Sequence, residues 1–436
     1  MRRGCFLTIF WYMTVLPAAF PLSLSLDDAI KQGVENSLEL KKSRIDLSTA
    51  HYASNRLWSE IFPAISGTLG TSYSSVLFSG DGFEVNKDRL TNSAGLGLNV
   101  TLNAGIPYAM KNIKLAYQTR LLSYEDARNQ LELQITKNFY YLIADRDNLA
   151  SLDYTLQLAQ RQYERDQVAF NNGLVGELSL MQSRLGLENA RYNLSAARSA
   201  YANRMADFLS QLGIVHDAAQ GADTALADTA LEGKIEIIRV EADAEQLIRE
   251  NLPRRPDIVS KRQEIERLEN AGKQAAFSSR APSLRLAADW NTRSFDPFAD
   301  TLSGSATLTI PIDPWIPGTA RSQSVRSAQS AVEKARLDLQ SVEDAAMAQI
   351  RSLAASLRNS WDSIEIARLS LGVAERGYEL TELGFRNGTV ESLKLEDARN
   401  NLVNARQRLL QSELSYFNMI LDISAALNIN WKDLMK

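Results

Sequence analysis

"AFNNGLVGELSL" at 169–180 and "GFRNGTVESLKL" at 384–395 are two copies of one short turn, each set in a long stretch that otherwise reads as helix. Upstream of the first, Tyr108 to Asn172 contains neither glycine nor proline. Upstream of the second, Thr319 to Leu371 is equally clean, and the helical pattern continues to about Phe385. An uninterrupted helix over the first run would reach about 100 Å at ~1.5 Å per residue, several times the width of a compact domain. Val332, Ala335, Leu339, Val342, Ala346, Ile350, Leu353 and Leu357 recur at gaps of three and four, and Leu149, Leu152, Leu156, Ala159 and Tyr163 keep the same rhythm. One narrow apolar stripe of this kind is a coiled-coil seam. A helix this long with a single stripe must lie beside other long helices.

The two turns belong to an explicit repeat. Residues 158–214 align without gaps on 373–429 at an offset of 215, with 21 identities in 57 positions. Arg161, Tyr163, Phe170, Asn172 and Gly173 match Arg376, Tyr378, Phe385, Asn387 and Gly388; Leu178, Leu180, Arg184, Asn189, Ala190 and Arg191 match Leu393, Leu395, Arg399, Asn404, Ala405 and Arg406. Self-similarity on this scale marks a tandem duplication of one supersecondary unit. Asn-Gly tolerates positive φ, so each copy can close a helix and reverse the chain within a few residues. The turns are therefore read as the tips of two helical hairpins. The first repeat, 26–214, divides into a helix at about 26–60, strands near 62–106, a long helix 108–171 and a helix 176–213. The second, 240–429, repeats the order with a helix to about 279, strands near 282–313, a long helix 318–385 and a helix 390–428. In each repeat the two shorter helices together nearly match the long one, and the simplest packing stacks them end to end along it.

Between the helices the period changes from 3.6 to two. "AGLGLNVTLNAG" (94–105) sets Leu98, Val100 and Leu102 against Asn99, Thr101 and Asn103; "SLRLAADW" (283–290) sets Leu284, Leu286, Ala288 and Trp290 against Arg285 and Asp289. "SGSATLTIPI" (303–312) sets Ala306, Leu308, Ile310 and Ile312 against Ser305, Thr307 and Thr309. A fourth, weaker strand falls near 64–78. Pro63 and Pro282 open the strand pairs, Pro107 and Pro311 stand near their ends, and glycine and polar residues near 79–92 and 296–303 read as connections. Tyr73, Phe78, Phe83, Trp290, Phe295, Phe298 and Trp315 cluster close by. Such strands have one apolar and one polar face. A soluble reading folds each pair as a hairpin packed on a helix. A membrane reading turns the apolar side chains to lipid and the aromatics to its interfaces. Four strands do not close a barrel, since single-chain barrels start at about eight, and open edges are not tolerated in lipid. On the membrane reading, several copies must pool their strands.

Composition narrows the function further. The 436 residues are 45% apolar with a net charge of −4, and both signs are spread through the chain. There is no basic field for nucleic acid and no acidic tail. Residues 1–25 read as a secretory leader: Arg2 and Arg3 precede "CFLTIFWYMTVL", an apolar core too short to span a bilayer. Cleavage fits after Ala19 or near Ser23–Ser25, and the only cysteine, Cys5, leaves with the leader. His51 and His216 have no metal-ligand spacing, and no phosphate loop, nucleophile elbow or paired-carboxylate motif occurs. Hence no cofactor, no metal and no enzymatic activity is expected. Segment 215–239 is loop-rich and, with the tail 430–436, reads as a girdle around the middle of the molecule.

The "LSLDDAIKQGVENSLEL" opening, the duplicated helix–strand–strand–helix–helix order, "RRPDI" at 254–258, and the tips "NGLVGELSL" and "NGTVESLKL" together resemble the TolC-type family of outer-membrane efflux and secretion channels, over about residues 24–430. The resemblance implies a mainly α fold with a small β part. Long antiparallel hairpins form an α-barrel in the periplasm, and four strands per chain enter a twelve-stranded barrel of a homotrimer in the outer membrane. It implies passive export powered by an inner-membrane pump or ABC exporter, with a periplasmic adaptor docked on the tips, here Asn172, Gly173, Leu174 and Val175 with Asn387, Gly388, Thr389 and Val390. Leu98, Val100, Leu102, Leu284, Leu286, Leu308 and Ile310 would then face lipid. Relatives narrow the tunnel above the tip with aspartates. Asp397 matches one of them, Lys394 stands in its companion's place, Ser179 and Gln182 occupy the corresponding sites of the first repeat, and Val390 replaces a linking arginine. Lys394 and Asp397, three apart on one helix, can instead form a local ion pair. The competing reading is a structural or adhesive periplasmic coiled-coil protein without a lumen.

Overall fold

The structure, a computed structural model, describes residues 22–74, 89–214, 229–235, 237–295, 298–316 and 318–435. In chain order, β1 (Leu22–Leu24), α1 (Leu26–Asn36) and α2 (Leu38–Ser54) lead to β2 (Ala64–Ser74), β3 (Arg89–Asn103), α3 (Ile106–Asn171) and α4 (Glu177–Gln211). After β4 (Thr229–Leu231) come α5 (Ala244–Asn251), α6 (Pro256–Arg280), β5 (Ser283–Phe295), β6 (Phe298–Thr309), α7 (Ala320–Arg386), α8 (Ser392–Leu427) and α9 (Trp431–Leu434). The helices α3 and α7 have 66 and 67 residues, about 100 Å each at ~1.5 Å per residue. Pro107 lies in the first turn of α3 rather than at a strand end, because a proline lacks only an N–H that the first turn leaves unpaired anyway.

Both leading helices are broken where the sequence reads as continuous. Ser37 separates α1 from α2: its N–H returns to the Gly33 carbonyl at 2.9 Å while its hydroxyl accepts from the Leu40 N–H at 3.3 Å. Asn36 is drawn aside at the same point, donating to the Leu212 carbonyl at 2.8 Å. In the second repeat Pro253 and Pro256 enforce the break, and Pro256 opens α6.

The two large cores lie where these short helices meet. One gathers Ile135, Phe139, Leu142 and Ile143 of α3 with Met205, Phe208 and Leu212 near the end of α4. The other gathers Ile350, Leu357 and Ile364 of α7 with Tyr416, Ile420 and Ile423 of α8. Each such side chain contributes about 1.5–3 kcal/mol by leaving water. The tail packs here too, with the Trp431 ring 5.4 Å from Phe417 and 6.1 Å from Tyr140. Tyr416 anchors the segment after the linker, accepting from the Val240 N–H at 2.8 Å and donating to the Ile238 carbonyl at 3.0 Å. Residues 1–21, most of the leader, lie outside the described residues, as do 215–228 with His216. Leu22–Leu24 forms β1, paired in parallel with β4; Leu24 is 1% exposed, and Ser25 caps α1 by accepting from the Asp28 N–H at 3.2 Å. A cut near Ser23–Ser25 would remove this element.

The longer strands form one antiparallel sheet in the order β2-β3-β5-β6. Its register aligns Ile65, Leu98 and Ala288; Val100, Leu286 and Ala306; and Leu102, Leu284 and Leu308 on one face. The other face carries Ser66, Gly97, Asp289 and Ser303, then Thr101, Arg285 and Thr307. The polar stretch 298–303 is strand and not connection, because its polar residues from Thr301 onward fall on the polar face. Phe78 and Phe83 lie outside the described residues. Among the described residues β2 and β6 each have one unpaired edge.

Candidate functional site

At the free end of each hairpin the helix closes in the same way. Gly173 adopts φ +72° and Gly388 φ +73°, values that carry no steric cost only for glycine. The Leu174 N–H reaches the Ala169 carbonyl at 2.8 Å, and the Thr389 N–H reaches Gly384 at 2.9 Å, the six-to-one bond of a Schellman closure. Asn172, Gly173 and Leu174 are exposed, as are Asn387, Gly388 and Thr389. Val175 and Val390 are half-buried. Val390 folds back over Gly384, where a Cβ would stand 2.6 Å from its Cγ2. Six of the eight candidate tip residues therefore present themselves to solvent, while Val390 packs on its own turn.

Among the constriction candidates, Lys394 and Asp397 are exposed and Ser179 and Gln182 half-buried. Lys394 and Asp397 form no ion pair with each other, so of the two alternatives their spacing leaves open the local pair is not the one seen. Asp397's neighbour Glu396 makes the local pair instead, with Arg399 at 3.4 Å.

That pair belongs to a cluster the sequence reading did not nominate. Arg399 is 7% exposed, and its Nε has no hydrogen-bond partner. It sits against α4 at Gly186, where a Cβ would stand 2.5 Å from Glu396 Oε1, so a side chain there would make the Glu396 carboxylate move aside. Burial pushes the Glu396 carboxyl up from its ordinary pKa; Asp397 and Asp166 add to the shift, and Arg399 opposes it. Asp166 is 2% exposed and accepts from Gln162 Nε2 at 2.9 and 3.1 Å. Arg165, Tyr378, Arg386 and Arg399 help line a cavity of about 630 Å³ between the hairpins at this level. Arg184 and Arg399 are repeat equivalents, and that identity was the only sequence signal.

At the other end of the molecule, the apolar sheet face is open. Leu98, Leu102, Leu286, Leu308 and Ile310 are exposed, Val100 and Leu284 half-buried. Exposed Trp58, Phe62 and Trp315 lie at the helical end of the sheet, with Tyr73 toward its far end. Among the described residues, no helix is long and apolar enough to cross a membrane, and no group of side chains is placed to hold a metal ion.

Long paired hairpins that rise into an open amphipathic sheet define an outer-membrane channel subunit. A family profile described as "Outer membrane efflux protein" matches residues 29–213 and 247–428, and the chain belongs to that family. Its place is the outer membrane, with the hairpins extending into the periplasm. Its fold is similar to that of the Campylobacter jejuni CmeC outer membrane channel, at 19% identity and TM-score 0.75, covering 92% of this chain and 85% of that one. It is also similar to VceC of Vibrio cholerae (16%, TM-score 0.72, 93% and 96% covered) and to the open-state MtrE channel of Neisseria gonorrhoeae (14%, TM-score 0.70, 95% and 94% covered). No individually curated protein matches the chain by sequence.

Proposed function

We propose that three copies of the chain assemble into one duct that gives passive exit to molecules delivered by an inner-membrane pump through a periplasmic adaptor. The observation that carries this reading is the four-stranded sheet, apolar on one face and polar on the other, with β2 and β6 as its two edges among the described residues. In lipid each unsatisfied backbone group costs several kcal/mol, so such edges have to meet other edges. Joining β6 of one copy to β2 of the next closes the cylinder. Leu98, Val100, Leu102, Leu284, Leu286, Leu308 and Ile310 then turn to lipid, and Arg285, Asp289 and their serine and threonine neighbours line water.

The tips, being exposed and far from both large cores, are where an adaptor docks, through Asn172, Gly173 and Leu174 and through Asn387, Gly388 and Thr389. Ser179, Gln182, Lys394 and Asp397 ring the entrance just above. With Lys394 beside Asp397 in each copy, the entrance carries mixed charge. Purified protein in a planar bilayer tests the reading: stable conducting steps are expected. Recovery as a soluble periplasmic monomer without conductance would favour a coiled-coil scaffold without a lumen.

A further inference from the structure

From the row of Asn291 to the helical end of the sheet, the polar face consists of serine, threonine, asparagine, glycine and alanine apart from two residues. These are Arg285 and Asp289, both on β5 and about 13 Å apart along the strand. Arg285 lies at the level nearer the helices. It is exposed, Asp289 is half-buried, and among the described residues neither forms an ion pair.

The two charges are held differently. Asp289 leans over Gly97 of β3, where a Cβ would stand 2.9 Å from Asp289 Oδ1 and 3.0 Å from Ser66 Oγ on the far side. Asn291 leans over Gly95 in the same way, toward Thr68. The two glycines leave a shallow trough in which the Asp289 carboxylate lies along the wall. Arg285 has Thr101 and Thr307 beside it in the register, each with a side chain of its own. Its guanidinium has no such trough and stands out from the sheet.

We infer that Arg285, repeated in each copy, forms a positive ring where the barrel opens from the helical tunnel, and that this ring makes the exit favour anionic cargo. The inference rests on the assembled-duct reading and adds a specificity-determining residue to it. Twelve strands spaced ~4.8 Å apart and tilted by ~40° enclose a cylinder of about 12 Å backbone radius. A guanidinium projecting inward from that wall comes within the screening length of the axis, ~10 Å at 0.1 M salt. A water-filled passage with charge of one sign on low-dielectric walls concentrates the opposite ion. Arginine stays charged at any working pH and meets carboxylates and phosphates with two hydrogen bonds at once. Asp289, farther out and laid against the wall, opposes the ring only weakly.

Reversal potentials across a planar bilayer, under a shallow potassium chloride gradient around 0.1 M, read this preference. Arg285→Gln is expected to raise the potassium-to-chloride permeability ratio at least ~2-fold, and Arg285→Lys to keep the native ratio. Asp289→Asn should lower the ratio by a smaller factor. Thr101→Arg adds charge at the level of Arg285, its partner in the register, and should also lower the ratio. That arm decides the matter even where Arg285→Gln fails to assemble. At 1 M salt the screening length falls to ~3 Å, and every variant should return to the native ratio. Channels that conduct with an unchanged ratio in Arg285→Gln or in Thr101→Arg, or with a change equally large at 1 M, overturn the ring. Native protein that forms no conducting steps overturns the duct reading itself.

Discussion

Glu396 shows how one residue ties the tip of a hairpin to proton concentration. Its folded-state pKa lies above the ordinary carboxylate value, chiefly through burial, so folding favours the neutral form. Its contribution to holding α8 against α4 is fully present below the unfolded pKa and is lost as pH rises through the folded one. Once ionised, the carboxylate therefore opposes the contact it occupies. Glu396→Gln is expected to slow proteolysis of the α8 tip increasingly as pH is raised, and to leave it unchanged in acid, where the native side chain is itself protonated. Equal rates in both proteins across the whole pH range would refute the assignment. Gly186 leaves room for this carboxylate, because a side chain there would displace the end of Glu396. Neither residue was legible beforehand: Arg184 and Arg399 are identical in the repeat, and only the opposing helix decides that the second is buried.

Among the elements, strands stand out where period two is strong and are only faint where it is not, as the strand near 64–78 is. β3 and β5 declare themselves through Leu98, Val100 and Leu102 and through Leu284 and Leu286, whereas β2 dilutes its apolar face with Gly67 and Thr71. The division of α1 from α2 was hidden because Asn36 leaves the helix for a carbonyl distant in sequence. The sheet makes a directional prediction. Val100→Arg puts a charge on the apolar face and should cost about 2–4 kcal/mol near mid-membrane, whereas Thr101→Arg on the opposite face should be tolerated. Recovery of heat-resistant oligomer from membranes compares the two, and equal losses would argue against a lipid-facing side. The first strand predicts where the leader ends. Since Leu24 is buried and β1 is paired with β4, the exported chain is expected to begin ahead of Leu22, as a cut after Ala19 leaves it. N-terminal sequencing that begins at Leu24 or Leu26 would show the strand to be dispensable.

The whole molecule combines a repeat legible in the sequence with an asymmetry that is not. Duplication, hairpin tips and shaft length follow from glycine placement and the narrow apolar stripes. That α8 lies along α3, joining the two hairpins through Lys137 and Asp422, follows only once three dimensions show which face of each helix is covered. This asymmetry has a measurable consequence in the assembled protein. Lys137 and Asp422, 26% and 40% exposed, join α3 to α8 within a subunit; such partly exposed pairs contribute about 0–1 kcal/mol and weaken with salt. Raising ionic strength from about 0.1 M to 1 M shortens the screening length from ~10 Å to ~3 Å, while the apolar packing of the two large cores is not screened. Amide hydrogen exchange should therefore accelerate up to about five-fold in the facing parts of α3 and α8, the equivalent of ~1 kcal/mol. The stretch of α4 from Met205 to Leu209, packed in the first core, should exchange at an unchanged rate. If both loosen equally with salt, charge does not hold the joint between the two hairpins.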